Sequence, residues 1–553
     1  MLECLQWKGG KSFLWQVIFL SITVVFIAGL HFNNDGLWYQ GDSSRHAANG
    51  LFWWDFLSSL SGHPVQFSLS YYARYPVIHP TGYPPLFYLI EGTVFQIFGA
   101  SPFVAKGLVL VFALLAGFYT IVWLRRWISE EVGWGGALLI LQPGVIKWAN
   151  AVMLNIPSMA LGLAMMYHAR RWIETSSSRH LYLTAIFGVC GILTYVQTAI
   201  LLFVILAWII IERRWMVLWD RRVLIVGLLS ALVLLPWAIV ATQWAPAHLG
   251  SVSPPLGSIF NLPRWTFYLE SMTRNFTVTL LILAIWGVAV SFYDWRWKRE
   301  VKLAGIWIIV CYFSLSYIRV KDARYALLFI PPVVFLCCTS LVSLFQWGAI
   351  RKKKDPPRFI FVGMVALVIF HFLMAPLVSV PRLQGFKDVV EFIEKVAPED
   401  RIFYDGRFSN VFTFYIRSRD YNFKRGVVLG NKLLYASSIT MGFNLIEKVF
   451  STEDVVEKFR EKCGCKWLVI EKEGVSAYVP AARFLRQALS KAEFEFVISF
   501  PIIEGTSTTQ IDVYRFRTPQ KKPSEIDLSF PAFGKKSEFH VKPIEKSSKG
   551  FKW

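Results

Sequence analysis

Long apolar runs separated by short polar stretches fill the chain from residue 12 to residue 379. A helix rising 1.5 Å per residue needs about 20 such residues to cross a bilayer core, fewer at a thin or tilted site. By that measure the pattern predicts spans over 12–31, 102–124, 133–152, 155–169, 181–195, 196–211, 222–243, 276–293, 301–318, 324–347 and 359–379. No small-residue cleavage site follows the first run, so it reads as an anchor and the chain as starting at Met1. Pro84–Gly99 is too short for an ordinary span and is expected to be re-entrant or interfacial. Three polar gaps stand out: a long first loop of about 32–101, then Trp148–Asn155 and Trp244–Thr273. Within the first, Ala47, Leu51 and Trp54 recur at helical spacing. An amphipathic surface helix is therefore expected over Ser43–Leu57, with Asp42 or Ser43 as its cap.

From about Gly385 the period changes. Val389–Val396, Thr452–Lys462 and Ala481–Ala492 read as helices, and Arg401–Tyr404, Lys466–Glu471, Phe494–Phe500 and Ile511–Phe516 as strands. The expected fold is an α-helical polytopic membrane protein of about 11–13 spans with a C-terminal extracytoplasmic α/β domain. Its parts are a multi-span domain over 1–380, the α/β domain over 385–519, and a basic tail over 520–553 whose eight Lys against four acids suit disorder. No repeat of 20–50 residues is visible.

Composition fits this picture. Of 553 residues 55% are hydrophobic and only 17% charged, too apolar for one soluble core and far from disorder, collagen or a small disulfide scaffold. The 58 Lys and Arg exceed the 37 Asp and Glu by 21, which in a soluble protein would suggest nucleic acid. Here the cations flank apolar runs: Lys8 and Lys11, Arg125 and Arg126, Arg170 to Arg179, Arg213 to Arg222, Arg296 to Lys302, and Arg351 to Arg358. They fall on alternate ends of the spans, so the positive-inside rule places them together on the cytoplasmic side of the inner membrane. The N-terminus is then cytoplasmic, the α/β domain external, and no nucleic-acid partner is implied. Cys190, Cys311, Cys337 and Cys338 sit in apolar runs as small hydrophobes, and Cys463-x-Cys465 is too close for an easy disulfide and lacks zinc partners.

Candidate chemistry gathers at the predicted outer face, where ionisable groups are costly and mark function or a bound headgroup. Asp42 follows Gly41 at the start of the surface helix, where a carboxylate could deprotonate a hydroxyl; it would also serve as an N-cap, and the roles are compatible. Asp35, in Asn33-Asn-Asp-Gly36, reads as turn chemistry. The run Ser316-Tyr-Ile-Arg-Val-Lys-Asp-Ala-Arg-Tyr325 places three cations in one short outer loop, against the general charge bias. Lys321 as a point charge and Arg324 by its fork could hold a phosphate, the alternative being headgroup snorkelling. Lys106, Lys147, Arg264 and Arg274 are weaker candidates of the same kind. His46, His63 and His79 share the first loop with Asp42 and leave a divalent metal open, although no H-x-x-H pattern fixes two ligands on one face.

Four motifs occur in order: Gly41-Asp42; Tyr83-Pro-Pro-Leu-Phe-Tyr-Leu89 with Ile97-Phe-Gly99; Met153-Leu-Asn-Ile-Pro157; and Lys321-Asp-Ala-Arg-Tyr-Ala-Leu-Leu-Phe-Ile-Pro331. Over roughly residues 12–380 the chain resembles the multi-span glycosyltransferases of the GT-C type. The likeness is to the dolichyl-phosphate-mannose-protein mannosyltransferase-like bacterial group that includes the lipid A aminoarabinose transferases. The resemblance implies transfer of a sugar from a polyprenyl-phosphate donor to a lipid, glycan or protein acceptor at the outer face of the cytoplasmic membrane. It implies Asp42 as base and Lys321 and Arg324 as holders of the carrier phosphate, with Tyr83 and Asn155 at motif positions; Arg45, held beside Asp42 near the headgroups by the surface helix, joins them as a candidate binding residue. Two positions depart from the pattern: Tyr83 stands where the family usually carries His or Glu, and Asn155 where Asp or Glu is common. Both departures weaken the case for a metal, and no cofactor is implied with certainty. The competing readings are a transporter or flippase of a lipid-linked sugar, which would often show internal repeats and mid-membrane polar groups, and a non-catalytic membrane scaffold.

Overall fold

The computed structural model describes residues 10–39, 41–60, 62–79, 82–244, 261–293, 297–352, 356–438, 444–472, 479–518, 526–529, 538–547 and 550–552. The helices run α1 (Gly10–Leu30), α2 (Asp42–Ser59), α3 (Pro64–Arg74), α4 (Leu86–Phe98), α5 (Pro102–Trp127), α6 (Gly135–Ile140) and α7 (Pro143–Ala149). Next come α8 (Asn155–Thr175), α9 (Ser178–Thr194), α10 (Ile200–Ile211), α11 (Arg221–Trp244), α12 (Leu262–Asn275), α13 (Val278–Val290) and α14 (Lys298–Tyr317). A 3₁₀ segment, Ala323–Phe329, leads into α15 (Ile330–Lys352), and α16 (Pro356–Met374) follows. The C-terminal region adds α17 (Phe386–Val396), α18 (Ser409–Arg419), α19 (Thr452–Lys458) and α20 (Pro480–Ala488) among its strands.

The polytopic helical class with a C-terminal α/β region is what the structure has. Among the described residues six helices are long and apolar enough to cross a membrane, or seven if the α12–α13 pair, bent by 117°, counts as one span. The other expected spans are helical: 155–169 and 181–195 fall in continuous helices, 196–211 is a 3₁₀ turn running into α10, and 133–152 is broken. Pro143 donates no backbone hydrogen bond and its ring crowds the preceding turn, so 133–152 becomes a 3₁₀ turn, α6 and α7 rather than one helix. Between α9 and α10 Tyr195 is extended and Val196–Ala199 forms a 3₁₀ turn. The segment 155–169 extends to α8, whose charged C-terminal end is buried by neighbours.

The chain divides into two compact units: residues up to 32 with 107–239 and 252–380, and residues 33–106 with 240–251 and 381–553. In the first unit Trp123 stacks on Phe335 at 4.7 Å and meets Trp307 edge-on. The fully buried Arg170 guanidinium is paired bidentately with Glu300 and lies 4.0 Å from the Trp127 ring centroid. A buried ion stays charged only with such partners, and this one ties α8 to α14.

In the second unit the sheet is ordered β1-β7-β8-β6-β2-β3. The strands are β1 (Leu383–Gln384), β2 (Arg401–Asp405), β3 (Gly426–Leu429), β6 (Trp467–Glu471), β7 (Phe494–Glu504) and β8 (Ser507–Phe516). β6, β2 and β3 are parallel and the remaining pairs antiparallel. Short pairs β4 (Tyr435–Ser438) with β5 (Asn444–Glu447), β9 (Ile526–Ser529) with β10 (Glu538–Val541), and β11 (Glu545–Ser547) with β12 (Gly550–Lys552) complete it. The last two lie in the stretch whose composition suits disorder, so there the structure differs from the sequence reading. α2 packs on α18 through a buried cluster: Tyr71 donates to Asp55 Oδ2 at 2.9 Å, Arg417 Nε donates to the Tyr71 hydroxyl at 2.8 Å, and Arg417 pairs with Asp55.

Candidate functional site

Asp42 is the first residue of α2, which starts because Gly41 takes φ +78°, a conformation that suits glycine. Asn410 of α18 donates to the Gly41 carbonyl at 3.1 Å and holds the turn. The cap expected of Asp42 or Ser43 is not made: Gly41 is the N-cap and the helix start has no side-chain cap bond. Instead the half-buried Asp42 carboxylate accepts from Arg45 at 3.2 Å. One turn on, His46 Nδ1 lies 2.7 Å from the Tyr88 hydroxyl, with the Tyr83 ring 4.8 Å from the imidazole. His79, whose N–H donates to Asn49 Oδ1 at 2.9 Å, lies edge-on to Tyr83 at 6.4 Å. Asp42, Arg45, His46, Tyr83 and Tyr88 thus belong to one neighbourhood. Asp35 makes the turn its sequence suggests, accepting from the Leu37 N–H at 2.9 Å, and it also accepts from the Tyr415 hydroxyl at 3.1 Å. Burial pushes the Asp35 carboxyl up to about 6.

His63 is the N-cap of α3, and His46 is engaged with Tyr88. Among the described residues no group of three or more His, Cys, Asp or Glu could hold a metal ion. No step below passes through a metal.

The second set of candidates lies in the other unit, on the loop between α14 and α15. Asp322 caps the 3₁₀ segment by accepting from the Arg324 N–H at 3.0 Å, and its other oxygen lies 3.4 Å from Arg324 Nε. The Arg324 guanidinium is buried, with one terminal N 3.8 Å from Met153 Sδ. Lys321 Nζ donates to the carbonyls of Leu315 at 2.7 Å and Ser316 at 2.5 Å, closing the end of α14. Burial, and then the charge of Arg264, lower the Lys321 ammonium to about 8. Asn155 begins α8 and donates to Gln197 Oε1 at 3.5 Å, while Gln197 donates to the Tyr325 carbonyl at 3.1 Å, so this amide pair steadies the residue after Arg324. Of the weaker candidates, Lys147 interacts electrostatically with Asp322 and Arg274, while Lys106 donates to the Asn34 carbonyl as a tie within its own unit.

Comparison of the sequence finds no matching family model and no matching curated protein. Solved structures do match. ArnT from Cupriavidus metallidurans bound to undecaprenyl phosphate aligns with a TM-score of 0.59 at 13% identity, over 90% of this chain and 98% of that one. The same protein in the apo state gives 0.60 at 13% identity, over 92% and 99%. The archaeal oligosaccharyltransferase AglB from Archaeoglobus fulgidus, in complex with an inhibitory peptide and a dolichol-phosphate, gives 0.54 at 12% identity, over 89% and 74%.

The chain has the GT-C fold. In this chain Asp42 opens α2, Tyr83 precedes α4, Asn155 opens α8 and Arg324 is the second residue of the 3₁₀ segment.

Sequence reasoning missed Glu91. It is the one charged residue of α4, and that isolation in an apolar segment was the available signal. Its carboxyl is fully buried with neither oxygen hydrogen-bonded, packed where α2 and α4 cross at Gly50 and Gly92. A Cβ at Gly50 would lie 2.5 Å from Glu91 Oε2, and one at Gly92 2.6 Å from the Gly50 carbonyl. Burial raises the Glu91 carboxyl well above the usual range. A raised carboxyl binds its proton more tightly folded than unfolded, so stability is greatest below the ordinary Glu value near 4.5 and falls as pH rises toward the folded value. Glu91→Gln is expected to flatten that slope and match or exceed wild-type thermal stability at pH 8. A melt series from pH 5 to 8 with parallel slopes for both proteins would contradict this.

Proposed function

We propose that this chain is an integral-membrane glycosyltransferase that moves a sugar from a polyprenyl-phosphate donor to a lipid, glycan or protein acceptor, at the outer face of the cytoplasmic membrane. The observation that carries the reading is the loop Lys321–Arg324, two cations braced by helix-end carbonyls and by Asp322, on a fold shared with ArnT bound to undecaprenyl phosphate and AglB with dolichol-phosphate. In this reading Asp42 takes the proton of an acceptor hydroxyl as the new C–O bond forms at the anomeric carbon. The bond from that carbon to the carrier phosphate breaks, and the phosphate leaves with the electron pair. Lys321 and Arg324 stabilise the charge that gathers on it, an effect worth more in a site with little water. Arg45 orients the Asp42 carboxylate, Tyr83 offers a ring and a hydroxyl to substrate, and Asn155 orients by hydrogen bonds alone. The basic clusters support a cytoplasmic N-terminus with residues beyond 385 outside.

Mass spectrometry of envelope glycolipids and glycoproteins from cells with and without the protein tests this reading. A sugar modification that disappears with the protein is the expected result, and identical glycan profiles would count against it.

A further inference from the structure

At the basic end of α5 an open cleft of about 470 Å³ is lined by Arg125, Arg126, Trp127, Glu130 and Glu174. Its walls are tied together by side-chain hydrogen bonds. Trp127 Nε1 donates to both Glu174 oxygens at 2.9 and 3.0 Å, and Arg170 Nε donates to Glu174 at 3.2 Å. The fully buried Arg125 donates to Ser12 and Gln16 of α1 at 3.3 and 3.1 Å and lies 3.5 Å from Glu130, which is 45% exposed. The lining therefore carries two guanidinium groups and two carboxylates.

Two observations identify the occupant. The cleft lies at the end of a candidate span, Pro102–Trp127, with the Trp127 indole in its lining, a residue type favoured at membrane–water boundaries. Beside it, α1 exposes Leu14, Ile18, Ile22 and Val25, an apolar stripe at helical spacing that acyl chains can cover. A purely anionic ligand would face Glu130 and Glu174, and a purely cationic one would face Arg125 and Arg126. A zwitterion meets both signs.

We propose that this cleft is a phospholipid headgroup site selective for phosphoethanolamine, with the phosphodiester toward the exposed Arg126 and the primary ammonium toward Glu130. A primary ammonium donates hydrogen bonds to a carboxylate, whereas the quaternary ammonium of choline cannot. That difference is the basis of the selectivity.

The test is native mass spectrometry of the purified full-length protein, delipidated and offered equal concentrations of dioleoyl phosphatidylethanolamine, phosphatidylcholine and phosphatidylglycerol. Wild type is expected to retain one phosphatidylethanolamine in preference to the others. Glu130→Gln should equalise the ethanolamine and choline lipids, and Arg126→Ala should lower retention of all three by about tenfold, the scale of one charge-assisted hydrogen bond. Arg126 is at the surface, so its removal should leave the melting temperature unchanged, whereas Glu130→Gln removes the carboxylate beside the buried Arg125 and its selectivity is read on protein whose melt is intact. Preference for phosphatidylglycerol, no preference among the three, or wild-type selectivity in Glu130→Gln would overturn the proposal. So would displacement of the lipid by soluble O-phosphoethanolamine, which would show a site for the free headgroup.

Discussion

Asp42→Asn is expected to lower sugar transfer by roughly 10²–10⁴-fold, the usual contribution of a positioned general base. A hydroxyl is a weak nucleophile at neutral pH, and the amide cannot take its proton. The fold should tolerate the change. Asp42 makes no capping bond that Asn would lose, and its pairing with Arg45 is partly exposed, an interaction worth under about 1 kcal/mol. Product formation from a polyprenyl-phosphate sugar, beside a thermal melt of each variant, separates catalysis from folding. Asp35→Asn is the control: its carboxylate shapes a turn and accepts from Tyr415, so transfer should stay near wild type. Near wild-type transfer by Asp42→Asn would end the assignment of Asp42 as base.

Arg324→Ala is expected to weaken carrier binding by about 1.5–3 kcal/mol, the range for hydrogen bonds to charged groups. Arg324→Lys should recover part of it, since Lys keeps the charge and loses the fork. Because Arg324 is buried beside Asp322, removing it also leaves that carboxylate short of a partner, so affinity must be read on protein whose melt is intact. Lys321 adds a pH signature. With its ammonium lowered to about 8, it is charged below that pH and neutral above it. Donor affinity should therefore fall as pH rises through about 8, and Lys321→Arg should remove the fall. Unchanged affinity in Arg324→Ala would reject the phosphate role.

Much of the fold was legible because a bilayer imposes a simple length rule on apolar runs. The rule failed where backbone chemistry interrupts an expected span, as at Pro143, while the breaks at Tyr195 and between α12 and α13 fall at the boundaries the pattern predicts. α18 was missed for another reason. Ser-Asn-Val-Phe-Thr-Phe-Tyr-Ile-Arg-Ser-Arg is rich in β-branched and aromatic residues and is buried on nearly every face, so it shows no amphipathic stripe. The candidate residues Asp42, Tyr83, Asn155, Lys321 and Arg324 were visible through their motifs. What their side chains do was not: Lys321 closes a helix end, Asn155 pairs with Gln197, and Asp42 leaves the cap to Gly41. Asp55 with Arg417, separated by 362 positions, is invisible to any local pattern.

The most direct measurement reconstitutes the purified protein in liposomes with a labelled sugar on undecaprenyl phosphate and an envelope glycolipid extract as acceptor. It follows three quantities: sugar on acceptor, free carrier phosphate, and carrier crossing the bilayer. Sugar on acceptor with equimolar release of carrier phosphate, abolished by Asp42→Asn, is the expected result. Movement of intact donor across the bilayer without cleavage of the sugar–phosphate bond would contradict a glycosyltransferase and point to a transporter.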